Sequence, residues 1–173
     1  MPITITASVD PARSRVEART EHEHRISMDA DPPEGEDSAA GPKEALLAAL
    51  AGCTSMDVAS LLRKKRQVAE TYEIEVSGET TDAHPRVFTT ITVEHRLSGA
   101  VEAEALRRSI ELSATRYCPV SAMLSAVATI EHRYQLTSED GTSQEALVVV
   151  TGPSGAHVSE DRPVPVHDAV RSS

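Results

Sequence analysis

The chain has 173 residues, enough for one ordinary domain with its own core and short for two. Hydrophobic residues at 39% and charged residues at 25% make a globular composition rather than a disordered one. With 17 Lys and Arg against 27 Asp and Glu, the formal charge is −10, which argues against a nucleic-acid or anionic-membrane partner, since phosphate neutralisation needs clustered cations.

The opening residues Met1, Pro2, Ile3 and Thr4 show neither a basic nor a long apolar segment, so no secretory signal is expected. No run of about 18 consecutive apolar residues marks a membrane span. Two cysteines do not make a disulfide scaffold, and a reducing, cytoplasmic location is the expectation. There a cysteine pair is either structural or redox-active.

Residues 2–9 alternate as a strand does, 13–19 can follow after the turn at Asp10 and Pro11, and 25–29 reads as a third short strand. The acidic stretch 31–41, with its prolines and glycines, reads as a loop. Pro42 then opens a helix at the first-turn position, where its missing N–H costs nothing. That helix is predicted over 42–65, apolar on nearly all sides, with alanines that allow another backbone to approach closely. The basic run Arg63, Lys64, Lys65 and Arg66 at its end reads as a solvated face opposing the negative end of the helix dipole.

Strands follow over 71–81 and 86–97, then a helix over 102–116, a short helix over 119–126 begun by Pro119, and a last strand over 129–136. The predicted class is α+β, helices packed on an antiparallel sheet. The main domain is expected to end at 137. A C-terminal extension, 138–173, carries a short strand over 146–151 and then a flexible tail.

Cys53 lies mid-helix, where an unpaired cysteine usually serves as a small hydrophobe. Cys118 directly precedes Pro119 and so falls at a helix N-cap, where the dipole and free N–H groups favour a thiolate. A thiolate in a protected pocket attacks the O–O bond of a peroxide and becomes a sulfenic acid, which a second thiol condenses to a disulfide. The residues supply a pair; spacing does not assign the roles, and local logic alone would make Cys118 the nucleophile.

The run from Gly41 through Pro42, Glu44, Gly52, Cys53, Asp57 and Val58 is similar to the first-cysteine motif of the OsmC/Ohr family. Tyr117, Cys118, Pro119 and Val120 resemble its second-cysteine motif, and Arg86, Val87 and Phe88 before a strand fit its order. The resemblance spans about residues 3–137. It implies an intertwined homodimer in which curved antiparallel sheets wrap around a long central helix, with active sites at the dimer interface. It also implies thiol-dependent, cofactor-free reduction of organic hydroperoxides, and more weakly of hydrogen peroxide, recharged by a dithiol or thioredoxin-like reductant. By the same resemblance Cys53 is the peroxidatic cysteine and Cys118 the resolving one.

The family's motif also implies a glutamate that orients an arginine over the thiolate. Lys43 stands where the best-characterised members have that glutamate, and Glu44, one residue on, matches a subfamily with Pro-x-Glu before the first cysteine. Arg13 is the expected arginine, with Arg15 on the same strand face as its alternative. Asp57, one turn past Cys53, is a further partner, although its charge would raise the thiol pKa.

His22 and His24 form the only close histidine pair and read as an exposed hairpin rather than a metal site, since the sequence places no third ligand. His84, His95 and His132 fall on scattered strand positions. The rival expectation keeps the fold and drops the turnover, giving a redox sensor or a binder of small hydrophobic ligands with a pocket of Leu50, Met56, Leu61 and Met123.

Overall fold

Alternating side chains at the start of the chain build a three-stranded antiparallel sheet from β1 (Ile5–Asp10), β2 (Arg15–Thr20) and β3 (Arg25–Met28). The computed structural model describes residues 2–160 and 163–165. The Asp10 carboxylate accepts from the Ala12 N–H at 2.9 Å, and Ser14 takes a left-handed φ of 54°. This turn absorbs Arg13, which was expected on the second strand; β2 begins only at Arg15. The stretch after β3, unpatterned in sequence, is organised about the buried Asp29. Its carboxylate accepts from Ser38 Oγ at 2.6 Å, Ser38 N at 2.9 Å and Ala30 N at 2.8 Å. Those bonds, the Ser38 hydroxyl first, hold its pKa down to about 2.

Two units divide the chain, residues 1–48 and 49–173, and the division falls inside α1 (Pro42–Lys64). The helix starts as its sequence dictates. Gly41 is the N-cap, its carbonyl accepting from Ala45 N at 2.9 Å, and the Glu44 side chain reaches back to accept from Gly41 N at 2.7 Å. That is one arm of a capping box, with Pro42 at the first helical position.

The second unit is built on a larger sheet of β4 (Val68–Thr80), β5 (Phe88–Ala100), β6 (Thr129–Thr137), β7 (Ser143–Gly152) and β8 (Gly155–Val158), in that order, with β9 (Val164–Pro165) also paired to β7. Between β5 and β6 run α2 (Ala103–Leu112), a π-helical turn at Ser113–Tyr117 and α3 (Pro119–Leu124). This crossover returns the chain to the end of the sheet where β5 began. β5 and β6 therefore pair in parallel, Thr90 opposite Thr129 through Ser98 opposite Thr137, while every other pair is antiparallel. The α+β class is as expected, with a mixed larger sheet. β6, read from sequence as the closing strand, lies inside the sheet, because β7 pairs along its other edge.

The core joins Val58 and Leu62 of α1 and Leu106 and Ile110 of α2 to Leu97, Leu136 and Val148 of the sheet. In β7 both Val148 and Val149 are buried, because a bulge opposite His132 and Arg133 breaks the two-residue alternation. Residues 155–158 and 164–165 pair with β7 where the sequence suggested an unstructured tail; residues 166–173 lie outside the described residues. Of the basic run at the end of α1, Lys65 is not merely solvated. Its Nζ donates to Ala105 O at 2.9 Å and Ser109 Oγ at 3.1 Å on α2.

Gly99 has φ +111°, and a Cβ there would stand 2.8 Å from the backbone N of Glu70, the extra residue of a bulge between Ala69 and Thr71. Gly99→Ala is expected to cost about 1–2 kcal/mol. The check is a lower urea midpoint with an unchanged slope; an unchanged midpoint would show that the bulge relaxes freely.

Candidate functional site

The site is assembled where α1 meets the π-helical turn. The Cys118 N–H donates to Ser113 O at 2.9 Å, closing the wide turn, and Pro119 then forces Cys118 out of helical geometry to ψ 106°. Cys118 thereby becomes the N-cap of α3, and its Sγ accepts from Ser121 N at 3.3 Å. On α1, Cys53 and Asp57 stand one turn apart on one face. The sulfur atoms of Cys53 and Cys118 and a carboxylate oxygen of Asp57 all lie within 4.8 Å of one another. Both cysteines are free thiols, Cys53 half-buried and Cys118 only 2% exposed.

Burial, foremost, and a hydrogen bond with Cys53 push the Cys118 thiol well above its ordinary range, while the backbone donors of Ser121 and Val120 pull less strongly the other way. The local argument from sequence, which made Cys118 the readily ionised thiol, therefore fails. The helix it caps has six residues, too short for its end to offset the loss of water around the sulfur.

A buried polar chain supports Asp57. Ser113 Oγ donates to Asp57 Oδ2 at 3.1 Å and lies 3.1 Å from Thr54 Oγ1. Ser113 spends its only proton on the carboxylate, so Thr54 is the donor to Ser113. Neither Thr54 nor Ser113 stood out in sequence. Their placement depends on the helix–helix contact, and the single local hint is that Thr54 adjoins Cys53.

The other expected site residues lie in the first unit with partners of their own. Arg13 is exposed, its Nε 3.8 Å from Glu36 Oε1. Arg15 donates to Glu17 Oε1 at 3.1 Å and to Ser38 Oγ at 3.3 Å. Glu44 caps α1 through Gly41 N. His22 and His24 are exposed between β2 and β3, with ring centroids 6.4 Å apart. Of the residues expected to line an apolar pocket, Leu50 is sealed in the core, whereas Met56 and Met123 are 73% and 66% exposed.

Two histidines that looked scattered come together in the core. The parallel register sets His95 of β5 and His132 of β6 on one sheet face, two residues out of step, with ring centroids 6.2 Å apart. Both are fully buried, and Tyr72 Oη lies 2.6 Å from His95 Nδ1. His95 Nε2 and both nitrogens of His132 have no hydrogen-bond partner. Burial keeps both rings neutral, lowering His132 to about 4 and His95, which also faces His132, well below its ordinary value.

A mixed sheet carrying two helices that bring a half-buried and a sealed thiol together defines an α+β protein with a thiol-pair site. Residues 35–133 match the family described as OsmC-like protein, and the chain belongs to that family. It is 34% identical over 116 residues to Protein YhfA of Escherichia coli (strain K12), an alignment covering 66% of this chain and 84% of that one. Among solved structures it resembles an OsmC like protein from Mycoplasma pneumoniae, with TM-score 0.68 and 21% identity over 79% of this chain and 97% of the other. It also resembles an organic hydroperoxide resistance protein from Elizabethkingia anophelis, with TM-score 0.61 and 12% identity over 80% of this chain and 97% of the other. At these identities the two structures speak for the fold.

Proposed function

We propose that the chain is a thiol-dependent peroxidase that reduces organic hydroperoxides, and hydrogen peroxide more weakly. The observation that carries this reading is the approach of the Cys53 and Cys118 sulfurs to within 4.8 Å. The Cys53 thiolate attacks the terminal peroxide oxygen; an S–O bond forms, the O–O bond breaks, and the alkoxide leaves as the alcohol after taking a proton. Cys118 then attacks the sulfenic sulfur, an S–S bond forms, and water departs. A dithiol or thioredoxin-like reductant returns both thiols, in keeping with a reducing, cytoplasmic setting. Cys53, on the more accessible of the two residues, is the one a substrate reaches; the raised pKa of Cys118 disfavours it as the first nucleophile and leaves it the second step.

The assembly in this proposal is a homodimer. By length and composition α1 would pass for a membrane span, yet only 22% of its apolar window is buried within the chain. Met56, Tyr117 and Met123 are exposed on the same three elements that hold the thiols. A second copy would cover that apolar surface.

Arg13 and Glu44 complete the proposal as the polarising pair. Arg13→Ala is expected to lower turnover of cumene hydroperoxide with a dithiol by at least about tenfold, read as peroxide loss. Unchanged turnover would remove Arg13 from the site. A second reading, a redox sensor without efficient turnover, is favoured by the partners these two residues already hold, Glu36 and Gly41. Slow, stoichiometric oxidation of the wild-type thiols in the same assay would select it.

A further inference from the structure

Asp57 is poorly explained by thiol chemistry alone. A carboxylate beside a thiol pair discourages the thiolate that attack on a peroxide requires. Among the described residues it has no Lys, Arg or His within ion-pair distance. Two thiols and a carboxylate gathered this closely are a donor set for a cation.

We infer that Cys53, Cys118 and Asp57, in the reduced protein, form a binding site for a thiophilic divalent metal ion, with zinc(II) the ion that best fits two thiolates and one carboxylate. In a tetrahedral site with Zn–S near 2.3 Å and Zn–O near 2.0–2.2 Å, neighbouring donor atoms stand roughly 3.5–3.8 Å apart. The three donors already lie within 4.8 Å of one another, so side-chain rotations of about 1 Å close the set. Cys53 and Asp57 sit one turn apart on a rigid helix, and Cys118 is fixed between the π-helical turn and Pro119. Ser113 donates to Asp57 Oδ2, orienting the carboxylate and leaving Oδ1 for the ion, as outer partners of metal ligands do. The half-exposed side at Cys53 leaves a fourth position to water or a thiol ligand. Thiolate donors exclude magnesium and calcium as occupants. Binding converts two S–H groups into metal thiolates and releases two protons, with no change of oxidation state.

The inference uses the same residues as the peroxidase reading but not its chemistry, and the two fail separately. The full-length protein, reduced and stripped of metal under anaerobic conditions, is titrated with cobalt(II) and then with zinc(II). One equivalent of cobalt is expected to give a thiolate-to-cobalt charge-transfer band with intense tetrahedral d–d absorption, both lost when zinc displaces it. Asp57→Asn should weaken zinc binding at least about tenfold, and Ser113→Ala by about tenfold. Alkylating both thiols should abolish it. Absence of the charge-transfer band at one equivalent, or zinc affinity indifferent to both substitutions, overturns the site. If Asp57→Asn does not fold, Ser113→Ala and the alkylated protein decide. Peroxide turnover of the metal-free protein is a separate readout, and its absence would end the peroxidase reading while leaving the metal titration to stand.

Discussion

Cys53→Ser is expected to abolish peroxide turnover, lowering kcat/KM by at least about a thousandfold, because a serine hydroxyl is not ionised at neutral pH and is a poor nucleophile toward peroxide oxygen. Cys118→Ser should behave differently. The first oxidation of Cys53 survives at near wild-type rate, and steady turnover then stalls with a trappable sulfenic acid on Cys53. The asymmetry follows from exposure, since Cys53 is half-buried and Cys118 sealed at 2%. The raised pKa of Cys118 adds a pH signature. In wild-type protein, disulfide closure after a single dose of peroxide should speed up as pH rises through the neutral and alkaline range, because each unit below the thiol pKa costs about tenfold in thiolate. Stopped-flow detection of peroxide loss and mass analysis of the trapped adduct check both variants. Identical behaviour of the two would sink the division of roles.

Acid is expected to weaken the fold well before carboxylates are protonated. His95 and His132 are held neutral in the core, while in the unfolded chain each takes up a proton near the usual 6.5. Their folded pKa values are depressed, so the associated stability is fully present above about pH 6.5 and is lost as pH falls toward about 4 for His132. For His132 alone that interval corresponds to about 3 kcal/mol, with His95 acting in the same direction. The buried Asp29 titrates lower, toward about 2, so the window between pH 6.5 and 5 isolates the histidines. His132→Leu should leave the urea midpoint at pH 7.5 within about 1 kcal/mol of wild type or raise it, because neither ring nitrogen has a partner to lose. The same variant should flatten the loss of stability between pH 6.5 and 5. A slope unchanged in the variant would show that His132 is hydrated in solution and not kept neutral by burial.

The elements of this chain were largely legible in its residues. Pro42, Gly41 and Glu44 are a helix start that needs nothing else, and α1 begins there. Pro119 places Cys118 at a cap by sterics alone. The alternation in β4 and β5 gave the strands, with ends displaced by a few residues where Gly99 and Glu70 make a bulge. Such signals are local, set by dihedral preferences and one-turn hydrogen bonds, and a linear sequence carries them in full. The two cysteine motifs, read by resemblance, also pointed to the family.

Tertiary structure alone decided how these pieces meet. That Cys53 and Cys118, 65 positions apart in the chain, share a site with Asp57 depends on α1 packing against the π-helical turn, and the turn is a break in helix geometry with no sequence marker. The cap position of Cys118 suggests a ready thiolate, yet burial, a property of the packed core, outweighs the backbone donors of Ser121 and Val120. His95 and His132 became neighbours only through the parallel register of β5 and β6, which the crossover between those strands imposes. Local bonding chooses the conformation of each segment; contact between distant segments sets the electrostatic environment, and the chemistry of the thiols follows from that environment.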